Sequence, residues 1–245
     1  MHRRGAHLDS GQNPTLLSGY GGFNVSLLPR FSRANLCFIE RGGIYVQANL
    51  RGGGEFGARW HEAGQLAVKQ NTFDDFRAVA EDLIGSQVTC PERLALHGRS
   101  NGGLLVAAAV TQYPELFRAA VSGVPLTDML RYERFLIAKL WIPEYGSASD
   151  PAQFEFLRAY SPYHRVQRGT AYPAVLLTTA ESDTRVAPLH ARKFAAALAW
   201  ASSSPRPILL RTELRAGHGA GTPVFKSVAE WADIHAFLCA ELRIP

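Results

Sequence analysis

Leu94-Ala95-Leu96-His97-Gly98-Arg99-Ser100-Asn101-Gly102-Gly103-Leu104-Leu105-Val106 is the stretch whose reading decides the fold. A short apolar run enters Gly-x-Ser-x-Gly, and an Ala/Leu/Val-rich segment leaves it. That order predicts strand, sharp turn and helix, the setting in which this motif lifts a serine hydroxyl clear of a sheet. Gly98 and Gly102 are small because strand and helix pack closely on either side of the turn. Ser100 is therefore the candidate nucleophile.

Working outward, residues 14–17, 43–49, 117–124, 172–179 and 207–212 read as further strands, β-rich or apolar and bounded by Gly and Pro. Phe76, Val79, Ala80, Leu83 and Ile84 follow Asp74-Asp75 at helical spacing, predicting an amphipathic helix with acidic residues near its start. Residues 189–200 form another helix. The last runs over 224–242 with Val228, Trp231, Ile234, Phe237 and Leu238 on one face. Between the third and fourth of these strands, residues 125–163 lack strand alternation and carry Tyr132, Phe135, Trp141, Tyr145, Phe154, Phe156 and Tyr160. They read as a helical insertion over the sheet. Alternating strands and helices imply an α/β fold, a mostly parallel sheet covered on both faces. The domain reading is a polar arm over residues 1–12 and one α/β domain over 13–245.

Composition narrows the function classes. The 245 residues are 47% hydrophobic and 19% charged, an ordinary globular balance. The net charge of +5 is scattered, so no basic stripe points to nucleic acid. Cys37, Cys90 and Cys239 lie far apart, which favours reduced thiols and a cytoplasmic chain. The basic start, Met1-His2-Arg3-Arg4, has no apolar run behind it, and no segment approaches membrane-spanning length. A soluble protein is expected.

A nucleophilic serine needs a general base and a group that orients the base. In α/β-hydrolases the order is Ser, then Asp or Glu, then His, the last two on loops after later strands. Asp183 follows the strand ending at Thr179, and His218 lies beyond the strand around Leu209 in Arg215-Ala216-Gly217-His218-Gly219-Ala220-Gly221. Glu181 competes for the acid role. Asp183 is preferred because Asp183-Thr184-Arg185-Val186 resembles a turn into the next helix. Two donors could form an oxyanion hole: the Asn101 amide, immediately after the nucleophile, and the Tyr20 hydroxyl, on the glycine-rich loop after the first strand. His97 lies inside the elbow strand and is expected to be packed. His61 lacks the second His of a zinc-binding His-Glu-x-x-His helix, so no metal is expected, and no other cofactor. Gly52-Gly53-Gly54-Glu55-Phe56-Gly57 fits a dinucleotide fingerprint, but Asp74 opens a helix instead of closing a strand, so the loop reads as a tight structural turn.

Several blocks together resemble the catalytic domain of the prolyl oligopeptidase family of serine peptidases. They are Tyr20-Gly21-Gly22-Phe23-Asn24, Asn49-Leu50-Arg51-Gly52-Gly53-Gly54-Glu55, Lys69-Gln70-Asn71-Thr72-Phe73-Asp74-Asp75-Phe76, Ser100-Asn101-Gly102-Gly103-Leu104-Leu105 and Ala216-Gly217-His218-Gly219. The resemblance runs from about Asn13 to the C-terminus. It implies Ser100, Asp183 and His218 as the triad and Tyr20 with the Asn101 amide as the oxyanion hole. It also implies a proline-sized pocket, with Trp141 stacking on the ring, Phe23, Leu126, Tyr145 and Val186 as walls, and Arg185 holding a substrate carbonyl.

Two departures stand out. Family members usually carry Gly where this chain has Arg99, so altered electrostatics beside the nucleophile are expected. They also carry a β-propeller and earlier strands of the sheet, so this sheet is expected to lack N-terminal edge strands and to leave surface uncovered. Three functional readings follow. The first is a serine hydrolase working through an acyl-enzyme on short peptides after proline. The second is a carboxylesterase of small acyl or aryl esters. The third is a catalytically silent module that self-associates. A homo-oligomer covering the open face is compatible with each.

Overall fold

The computed structural model describes residues 1–2, 8–214, 216–219 and 222–245; residues 3–7 of the predicted arm and the Arg215, Ala220 and Gly221 neighbours of His218 lie outside these. Six strands are interleaved with nine helices among the described residues. In chain order they are β1 (Thr15–Ser18), α1 (Arg33–Glu40), β2 (Ile44–Gln47), α2 (Ala58–Glu62), α3 (Gln70–Gly85), β3 (Leu94–Arg99), α4 (Asn101–Gln112), β4 (Ala119–Gly123), α5 (Ile142–Tyr145), α6 (Pro151–Tyr160), α7 (Pro162–Arg165), β5 (Ala174–Ala180), α8 (Leu189–Ala201), β6 (Ile208–Glu213) and α9 (Val224–Leu242).

All six strands run parallel, in the order β2-β1-β3-β4-β5-β6. Alternate residues feed two apolar layers, the geometry a strand's two-residue period dictates. Leu17, Leu96, Ala120, Val175 and Leu177 face a cluster built with α3, α4, α8 and the insertion. Leu16, Ala95, Val121, Ala174 and Leu176 face a second layer closed by Phe38 of α1 and Ile234, Phe237 and Leu238 of α9. Burial on both faces explains why the inner strands read as continuous apolar runs. From β1 the chain moves outward to β2, then crosses back to β3 on the other side of β1. Ligands of open parallel sheets bind at such a reversal, beyond the carboxyl ends of the strands. Here the loops leaving β1 and β3 carry Tyr20 and Ser100.

The structure differs from the sequence reading at three places. The first amphipathic helix starts at Gln70, four residues early, so Asp74 and Asp75 sit in its second turn. Its first turn is polar in sequence because Thr72 is buried through a hydrogen bond, its hydroxyl donating to the Arg51 carbonyl at 2.7 Å. Asp75 accepts from both the backbone and the guanidinium of Arg51. In α9, Val228 is 62% exposed. At 3.6 residues per turn it lies roughly 80° from Leu238, off the buried stripe. Helix α1 went unread; Ser32 caps it, accepting from the Asn35 amide at 3.3 Å, and it buries Phe38 and Ile39.

The glycine-rich loop after β2 is a structural turn. Gly52 has φ +97°, and a Cβ there would lie 2.6 Å from the Gly21 carbonyl oxygen. The second glycine loop therefore packs on the first. The outer edge of β2 is met by Met1, which exchanges backbone hydrogen bonds with Tyr45 at 2.7 and 2.9 Å. At the opposite edge, Leu209 and Leu210 of β6 are exposed.

The insertion is fastened to α8 through His190, which is 2% exposed. Its Nδ1 accepts from the amides of Thr127 and Asp128 at 3.3 and 3.2 Å, which requires that nitrogen to be unprotonated. Burial pushes the imidazole pKa down to about 4, with Asp128 opposing and Lys193 assisting. A base held below its unfolded value of 6.5 contributes fully above that value and loses its contribution as pH falls toward 4. Between pH 7 and pH 4 the His190 contribution to unfolding free energy should fall by about 3 kcal/mol. His190→Asn retains an acceptor without the titration. Urea unfolding at both pH values should show a smaller acid loss in that variant; equal losses would contradict the assignment.

Candidate active site

Ser100 lies between β3 and α4 with φ 60° and ψ −120°, a backbone conformation that side chains rarely adopt. The turn closes because Gly98 and Gly102 have no side chains. A Cβ on Gly98 would lie 2.0 Å from the Gly102 carbonyl oxygen, and one on Gly102 would lie 2.8 Å from that of Gly19. Strand, elbow and the loop after β1 are thus in direct backbone contact. The Ser100 amide donates to the Gly123 carbonyl at 2.8 Å, locking the elbow to β4.

Around Ser100 the structure assembles residues far apart in sequence. His218 Nε2 lies 3.1 Å from Ser100 Oγ, and His218 Nδ1 lies 2.7 Å from Asp183 Oδ2. The second carboxylate oxygen, Asp183 Oδ1, accepts from the amides of Arg185 and Val186 at 2.8 and 2.9 Å. Asp183 is 5% exposed, and burial opposes its charge. Hydrogen bonds from His218, Val186 and Arg185 outweigh that and hold the carboxyl below the usual range. Glu181 is exposed, so Asp183 is the acid that meets the histidine. The two loops are also tied by backbone, the Ser182 amide donating to the Ala216 carbonyl at 3.1 Å.

Tyr20 faces the same point. Burial raises its pKa, with the Arg185 charge and a hydrogen bond to Ser100 pulling the other way, so the phenol remains a donor at neutral pH. The Asn101 amide heads α4, where helix N–H groups lack intrahelical partners. Sequence reasoning used only that amide and missed the side chain. Asn101 Nδ2 donates to the Tyr20 carbonyl at 2.5 Å, and its Oδ1 accepts from the Tyr145 hydroxyl at 2.7 Å. An Asn directly after a predicted nucleophile is the only signal the sequence offered for it.

Five of the six predicted pocket residues belong to or pack on one apolar cluster. Phe23 meets Tyr145 edge-on, ring centroids 5.4 Å apart. Leu126, Tyr145 and Val186 are buried, and Phe23 and Trp141 pack partly buried against the same cluster. Arg185 is exposed near Tyr20. A separate cleft of about 730 Å³ opens onto Ser100 and His218, lined also by Tyr20, Tyr45, Arg99 and Trp231; none of the six predicted pocket residues lines it.

Arg99 does not stand as a bare charge beside the nucleophile. Its guanidinium pairs with Glu230 of α9 at 2.9 Å and donates to the His218 carbonyl at 3.2 Å. Glu230 also accepts from the Thr178 hydroxyl at 3.1 Å. His97 packs on Trp231, ring centroids 5.0 Å apart. His61 pairs with Glu144 at 2.8 Å, and among the described residues no group of three or more His, Cys, Asp or Glu is placed to hold a metal ion.

The prolyl oligopeptidase family profile matches residues 29–244. The chain is 47% identical over 244 residues to a prolyl endopeptidase of Elizabethkingia meningoseptica, covering 99% of this chain and 34% of that protein. It is 41% identical to a prolyl endopeptidase of Dictyostelium discoideum over 99% of this chain and 32% of the other. Among solved structures, one from a study of two prolyl endopeptidases superposes with a TM-score of 0.97 at 50% identity, covering all of this chain and 36% of that one. A post-proline cleaving enzyme from Rickettsia typhi gives a TM-score of 0.94 at 40% identity over 99% of this chain and 35% of the other. The chain thus spans about a third of the length of the relatives it matches. Its sheet and helices have the α/β-hydrolase architecture of that catalytic region, and the chain belongs to the prolyl oligopeptidase family.

Proposed function

We propose that this chain is the catalytic region of a serine peptidase that cleaves short peptides after proline through an acyl-enzyme. The observation that carries the reading is the linear array of Ser100 Oγ, His218 and Asp183, at 3.1 and 2.7 Å, on the loops that follow β3, β6 and β5. In this reading His218 Nε2 takes the Ser100 proton as Oγ attacks the scissile carbonyl. Asp183 fixes the Nδ1–H tautomer and balances the imidazolium. The oxyanion is met by the Tyr20 hydroxyl and the Asn101 amide. His218 then protonates the leaving amine, and water attacks the acyl-enzyme by the reverse sequence. Trp141 would stack on the proline ring, Phe23, Leu126, Tyr145 and Val186 would bound it, and Arg185 would hold the preceding carbonyl. Family membership and the relatives named as prolyl endopeptidases support this substrate class.

A second reading, hydrolysis of small esters, is favoured by the roughly 730 Å³ cleft that reaches Ser100 and His218 without passing the six pocket residues. Among the described residues no helix is long and apolar enough to cross a membrane. Three free thiols, with Cys37 exposed, suit the reducing cytoplasm.

A proline-aryl-amide and a short acyl ester, assayed side by side, separate the readings. The peptidase reading expects turnover of the amide, and Trp141→Ala should lower kcat/KM for it by roughly tenfold while leaving the ester rate nearly unchanged. Ester turnover alone would leave the esterase reading standing. Asp183→Asn should cost about 10⁴ in kcat on either substrate by spoiling the histidine tautomer. Retention of activity in that variant would remove Asp183 from the mechanism.

A further inference from the structure

Lys69 is 1% exposed, and its ammonium is spent entirely inside the protein. It donates to the Gly21 carbonyl at 2.8 Å and to Glu144 Oε1 at 3.1 Å, and it lies 5.6 Å from the centre of the Tyr145 ring. Glu144, itself 4% exposed, turns its other oxygen to His61 Nε2 at 2.8 Å. Burying such a set is costly, and replacing a buried ion pair by apolar groups is often neutral or stabilising. Its placement offers a reason for its presence. Gly21 directly follows Tyr20, and Glu144 directly precedes Tyr145.

The loop after β1 is held from two sides at consecutive carbonyls. Asn101 Nδ2 binds the Tyr20 oxygen, and Lys69 Nζ binds the Gly21 oxygen. Gly21 has φ +61°, and a Cβ there would fall 2.3 Å from the Thr72 methyl, so the peptide linking Tyr20 to the rest of the loop is tightly constrained. Tyr145 closes the ring by donating to Asn101. Release of the Gly21 carbonyl frees the peptide that follows the Gly21 Cα, one residue from Tyr20, and a displacement of about 1 Å at a reacting centre can cost on the order of 10² in rate.

We propose that Lys69, with Glu144 as its counter-charge, is a positioning residue that fixes the Gly21 carbonyl and so aims the Tyr20 hydroxyl at the oxyanion formed on Ser100. This role rests on the reading of Ser100 as nucleophile and Tyr20 as oxyanion donor.

The test is a double-mutant cycle on the full chain, reading the second-order rate at which a small alkyl fluorophosphonate phosphonylates Ser100. In that reaction Oγ displaces fluoride from phosphorus and its proton passes to His218. The probe is too small to need the proline pocket, so its rate reports the nucleophile and the oxyanion hole. Lys69→Met combined with Glu144→Gln removes both charges, leaves no unpaired ion, and should slow labelling about tenfold or more. In a Tyr20→Phe background the same pair should cost less than about twofold, because the donor it aims is gone. Equal slowing in both backgrounds, or none in either, overturns the role and leaves Ser100 as nucleophile. Failure of the unmutated chain to label overturns the hydrolase reading and this role together. Should the paired variant not fold, Lys69→Met alone, which leaves Glu144 its His61 partner, takes its place. The same non-additivity with Tyr20→Phe is expected of it, and additivity overturns the role.

Discussion

The side-chain amide of Asn101 joins three separately built parts of the molecule. One end holds the Tyr20 carbonyl on the loop after β1; the other receives the Tyr145 hydroxyl from the aromatic insertion. Its own backbone opens the helix that carries the elbow. The amide is buried and offers a donor to one neighbour and an acceptor to the other, and no apolar residue of that size can do both. Without it, the aromatic insertion and the Tyr20 loop would each lose a polar link to the head of α4.

The order of the sheet makes that junction possible. Because the chain crosses from β2 back over β1 to reach β3, the loops after β1 and β3 leave neighbouring strands and diverge. The crevice between them accommodates Tyr20 and Ser100 side by side. Glycines at 98 and 102 then let strand, helix and loop backbones approach closer than any side chain permits. Arg99 works from the opposite side of the elbow, where it neutralises Glu230 and holds the carbonyl of the histidine. Arg99 thereby also tethers the loop that carries His218.

Much of this was legible in the sequence because it is local. Strand cores buried on both faces announce themselves as apolar runs, and residues just past such runs are the ones that reach a strand-end site. Ser100 and Asp183 satisfy that rule; His218 follows β6, an edge strand whose apolar run is exposed, and was found by its place in the chain order. What escaped is what depends on long-range polar pairing. Thr72 looks like a surface residue until its bond to Arg51 is seen, and that hid the first turn of α3. Lys69, Glu144 and His61 are separated by up to 83 positions, and no periodicity marks charged residues that are buried only because they find one another. The pocket residues were assigned by resemblance, and their packing against the core could not be read from a motif.

The order in which the site residues appear along the chain has a bearing on how the protein is made. Ser100 lies well ahead of Asp183, and His218 comes later still, on a loop anchored to both through bonds that span β5 and β6. During synthesis the serine is therefore present long before the histidine that the proposed mechanism makes its base. A serine hydroxyl lacking an adjacent base is a poor nucleophile. In the proposed mechanism, therefore, the nascent polypeptide stays unreactive until the last strand has docked and His218 lies beside Ser100.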